Sequence, residues 1–132
     1  MNLTSTLKRI EAFLGASDQS NIQLAAQELT RICYNLLQKA LPRHGVVPRD
    51  LKCMMSQNID EAITNFLQTP TMTSMPRTDQ ANVFQQVVKP FQTTYNELYD
   101  LDDNSDWGNY QRRTYDTLCS ALQSKYVELQ RQ

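Results

Sequence analysis

The chain has 132 residues with 13 basic and 14 acidic side chains, a formal net charge of −1, which excludes a protein drawn by its global field to nucleic acid or to an anionic membrane. That length lets one domain, residues 1–132, bury a core without metal or disulfide staples. With only 3 glycines and 5 prolines, and with alternating β-branched stretches hard to find, the composition selects helix over sheet.

The first segment sets Leu3, Leu7, Ile10, Phe13 and Leu14 on one side of a short helix that Gly15 can end. Lys8, Arg9 and Glu11 interrupt its apolar positions, so it lacks the h-region of a signal peptide. A central core helix follows over Ile22 to Leu41, with Ile22, Ala25, Ala26, Leu29, Ile32, Cys33, Leu36, Leu37, Ala40 and Leu41 stepping by three and four. Gln23, Gln27, Glu28, Arg31, Asn35, Gln38 and Lys39 take the solvent side, and Ser20 offers an N-cap. Pro42 stops this helix, and the basic connection through Arg43, His44 and Arg49 is punctuated again at Pro48.

Pro48 to Gln68 keeps helical spacing through Leu51, Met55, Ile59, Ile63 and Phe66, with a capping-box pair, Asn58 and Glu61, that allows a break near Ser56. Two prolines and four hydroxyl residues then mark Thr69 to Arg77 as a mobile loop. Its Met72 and Met75 have no assigned core partner. Val83, Phe84, Val87, Val88, Phe91, Tyr95 and Leu98 form the next stripe, which continues past Pro90, so a kinked helix is expected there and not a stop. An acidic turn, Asp100 to Asp106, leads to Trp107 and a last helix whose face carries Tyr110, Tyr115, Leu118, Cys119, Leu122, Tyr126 and Leu129.

These elements predict an all-α fold, an up-and-down antiparallel bundle of four long helices plus one short N-terminal helix. In that topology the basic connection, Arg43, His44, Arg49 and Lys52, meets the acidic turn at one end of the bundle. The charges there can cancel within the molecule.

The parts for catalysis are few. His44 is the only histidine, so paired-histidine chemistry and carboxylate–histidine di-iron sites lack their ligands. Helical ribonucleases of the HEPN type place Arg and His a few residues apart on one helix, whereas Arg43 and His44 are adjacent in a loop. Cys33, Cys53 and Cys119 form no CxxC pair and read as small reduced thiols of a cytoplasmic protein, neither nucleophiles nor zinc ligands. The acidic turn alternates Asp100, Asp102, Asn104 and Asp106 like a calcium loop, but Ser105 replaces the required glycine and Gln111 the bidentate glutamate. No apolar run approaches the length of a membrane span.

The sequence thus points to a non-enzymatic helical bundle that binds another protein, as an adaptor, assembly subunit, or small regulator or inhibitor, with no catalytic residue, no cofactor, no metal and no membrane contact. A second copy of the chain is also an allowed partner. The expected partner-binding residues are Arg43, Arg49, Trp107, Tyr110, Arg112 and Arg113, because Tyr, Trp and Arg favour interfaces and the topology gathers these at one end. The alternative is a nucleic-acid-binding subunit of a larger complex using the same arginines.

Overall fold

The computed structural model describes residues 21–41, 45, 47 and 54–131. The expected N-terminal helix, the Ser20 cap, and the basic residues Arg43, His44, Arg49 and Lys52 lie outside the described residues. Among the described residues the protein is all helix: α1 (Asn21–Ala40), α2 (Met54–Leu67), the short α3 (Pro70–Thr73), α4 (Arg77–Asp100) and α5 (Asp106–Gln130).

Helices α4 and α5 share the most extensive contact, and α1 and α2 each pack against their neighbours to close a ring in the order α1, α2, α5, α4. The arginine that opens α4, Arg77, donates from Nη2 to the carbonyl of Glu128 near the end of α5 at 3.4 Å. Tyr110, near the start of α5, donates to the carbonyl of Ala40 at the end of α1. These contacts set the start of α4 beside the end of α5, and the start of α5 beside the end of α1. Across the ring, α2 and α4 meet through Phe66 and Phe84, whose rings sit edge to face with centroids 6.1 Å apart.

One continuous core joins the helices. Its fully buried side chains include Leu29, Leu37, Ile59, Phe66, Phe84, Phe91 and Leu118, each worth about 1.5–3 kcal/mol of transfer free energy. In α1 the buried stripe is Ala25, Ala26, Leu29, Cys33 and Leu37, while Ile22, Ile32 and Leu36 lie at its half-buried edge. Gln23 and Thr30 are buried on the same stripe. Gln23, assigned to solvent by its polarity, is thus inside because its position in the helical turn overrides its chemistry.

Helix α4 runs unbroken through the buried Pro90, as the stripe on both sides of that proline anticipates. The segment from Thr69 to Arg77 departs from the expected mobile loop. Pro70 occupies the first turn of α3, where its missing N–H costs no hydrogen bond. The hydroxyls bend back onto the backbone: Thr69 Oγ1 donates to the Phe66 carbonyl at 2.8 Å and Ser74 Oγ to the Pro70 carbonyl at 2.8 Å. Gln80 Nε2 fastens the turn by donating to the Met72 carbonyl at 2.6 Å. Met72 and Met75 are both buried, so the two methionines close the bottom of the core.

Candidate functional site

The turn between α4 and α5 is built by its own acidic side chains. Asp102 takes a φ of 52°, a left-handed conformation that Asp tolerates better than most residues. Asp103 Oδ1 then accepts the Ser105 N–H at 2.9 Å, and Ser105 Oγ accepts the Gly108 N–H at 3.1 Å to cap α5. The resemblance of this stretch to a calcium loop dissolves into capping geometry. Among the described residues no three His, Cys, Asp or Glu side chains gather in a way that could hold a metal.

Beyond the turn lies an open groove of about 570 Å³ between the end of α4 and the first half of α5. Tyr95 and Tyr99 form its α4 wall, one helical turn apart with ring centroids separated by 6.2 Å. Arg112, Arg113 and Asp116 form the α5 wall, and Val47 reaches its rim from the connection after α1. Arg112 Nη2 donates to Asn109 Oδ1 at 2.5 Å, which fixes the guanidinium along the helix. Partial burial, followed by the Asp116 carboxylate, pushes the Tyr95 hydroxyl above its usual pKa.

The residues expected to bind a partner divide into three groups. Arg112 and Arg113 line the groove. Trp107 and Tyr110 do not: they are 8% and 7% exposed, with rings 5.9 Å apart, and they close the end of the core. Both rings are buried within the chain, where a bundle end needs wide side chains to cover it. Arg43 and Arg49 lie outside the described residues.

The most exposed large apolar side chains among the described residues are Tyr99 at 66% and Leu101 at 60%, and neither is among the residues expected to bind a partner. Spacing gave no signal, since Tyr99 lies one helical turn after Tyr95 on the same edge of the stripe. The two described thiols, Cys33 and Cys119, are free and buried. Burial, reinforced in Cys33 by Cys119 and in Cys119 by Asp116, pushes both well above a reactive range, Cys119 to about 12.

No family model, curated protein or solved structure matches this chain. No described helix is long and apolar enough to cross a membrane.

Proposed function

We propose that this chain is a non-enzymatic, cytoplasmic helical bundle that binds another protein, as an adaptor, assembly subunit or small regulator, through the groove between α4 and α5. The observation that carries this reading is the groove that sets the exposed Tyr99 with Arg112 and Arg113, with Leu101 also exposed two residues after Tyr99. Large apolar side chains left in water cost free energy that a partner surface recovers, and Tyr and Arg are the residues that most often anchor such surfaces. Val47, from the connection after α1, adds an apolar side chain to the groove lining. Tyr99 takes the aromatic role first assigned to Trp107 and Tyr110.

Charge disfavours the nucleic-acid alternative. Asp106 and Asp116 share the groove with the two arginines, and the exposed Asp100, Asp102 and Asp103 stand on the adjoining turn. That is a poor counter-surface for phosphate.

Affinity purification from native cells with the full chain, its Tyr99→Ser/Arg113→Glu variant and a Lys125→Ala control tests the reading. A protein captured by the wild type and the control, and lost with the double variant, supports it. An unchanged set of captured proteins overturns the choice of this groove, and a low-salt shift of RNA or DNA that the variant abolishes favours the alternative.

A further inference from the structure

A second groove, about 630 Å³, runs along the outer face of α5 with Gln92 of α4 as part of its far wall. Asp116 stands at one end and Arg131 at the other. Between them Ser120, Gln123 and Val127 continue the same face by steps of four, three and four residues. Neither Asp116 nor Arg131 has an ion-pair partner among the described residues, where the one bridge is Lys125 to Glu128 at 3.0 Å. Val127, at 37% exposed, is a large apolar side chain left facing water on this helix.

The two ends of this stretch carry opposite charges, which exchange places when it is inverted. Turned end for end about a point between Gln123 and Ser124, α5 places Asp116 on the position of Arg131, and Ser120 on that of Val127. The two charges are about 22 Å apart along the axis, so an antiparallel pair of α5 helices brings both ends into register at once. Small Ser120 and Ser124 let the two backbones approach, with Val127 seated against the partner's Ser120.

We propose that this face of α5 is an isologous self-association surface: a second copy of the chain lies antiparallel across it, with Asp116 against the partner's Arg131 and Arg131 against the partner's Asp116. A two-fold interface requires this kind of self-complementarity, and a hetero-partner does not. The surface is separate from the groove of Tyr99 and Arg113, apart from Asp116 at their junction. Its polar character makes the dimer weak and salt-sensitive.

Sedimentation of the full chain over a concentration series up to millimolar tests this. Self-association is expected at low salt and to fall as salt is added. Arg131→Asp replaces two attractive contacts per dimer by two repulsive ones, so association should weaken by about tenfold. The charge exchange Asp116→Arg/Arg131→Asp should restore it, with far-ultraviolet circular dichroism confirming that each variant is folded. A wild type that stays monomeric throughout, an Arg131→Asp variant that associates like the wild type, or an exchange variant no better than Arg131→Asp would each overturn the proposal.

Discussion

The phenol of Tyr110 donates its hydrogen bond to the backbone carbonyl of Ala40, joining the first turns of α5 to the last turn of α1 across 70 residues of chain. The last four carbonyls of a helix have no partner within it, and at Ala40 a buried side chain from another helix supplies one. Burial keeps the Tyr110 hydroxyl protonated above its usual pKa, opposed only by its hydrogen bond with Thr114. Tyr110 is therefore a staple between helices.

Removing that staple leaves a buried acceptor unpaired. Tyr110→Phe retains the ring and should cost about 1–2 kcal/mol of stability. The expected readout is a lower urea midpoint with an unchanged slope, and binding of any partner at the Tyr99 groove should be unaffected. A full loss of stability by several kcal/mol would mean that the ring itself had moved.

Gly108 offers a test with a sign opposite to helix propensity. Within a helix Gly→Ala ordinarily gains about 1 kcal/mol. Here a Cβ on Gly108 would lie 2.5 Å from the Asp103 backbone oxygen and 2.6 Å from its carboxyl carbon. The turn must give way, so Gly108→Ala should lower stability by about 2 kcal/mol and reduce the melting temperature. Ser105→Ala, which removes only the cap, should cost about 1 kcal/mol.

Alkaline pH should unfold the bundle through its thiols. Both Cys33 and Cys119 have folded pKa values raised above the ordinary 9.0, so the folded state holds protons that the unfolded state releases. Their contribution is fully present below pH 9 and is lost as pH rises toward the folded values, which for Cys119 is about 12. Each thiol steepens the decline by about 1.4 kcal/mol per pH unit. Urea titrations above pH 9 should show this slope, and Cys33→Ala should flatten it despite a lower starting stability.

Thr30 carries an avoidable penalty. Its Oγ1 is buried without a hydrogen-bond partner among the described residues. Thr30→Val keeps the shape and removes the desolvated hydroxyl, and should raise stability by about 1 kcal/mol. A lower urea midpoint for this variant would show that the hydroxyl is satisfied in solution.

Most helices were legible in the sequence because burial of one face imposes a period that survives in a single chain. Ile59, Ile63 and Phe66 in α2, and Val83, Phe84, Val87 and Phe91 in α4, were read as core and are buried. The all-α class, the passage of α4 through Pro90 and the burial of Cys33 and Cys119 follow from that period alone. Local composition misled where distant residues supplied the missing partner. Thr69 to Arg77 looked unstructured, yet Met72 is buried in the core and Gln80, eight residues on, holds its carbonyl.

The proposed surface was the least legible part. Aromatic residues around the acidic turn announced themselves in the sequence, but periodicity cannot tell a ring that closes a bundle end from one that leaves it. Only the packing of α5 on α1 turned Trp107 and Tyr110 inward, and only the pairing of α4 with α5 left Tyr99 outside, facing Arg112 and Arg113. The sequence by itself determined which residues avoid water within each helix, because that choice is local and repeats every turn. The tertiary structure decided which of the remaining side chains share a surface, because that depends on how neighbouring helices are rotated against one another.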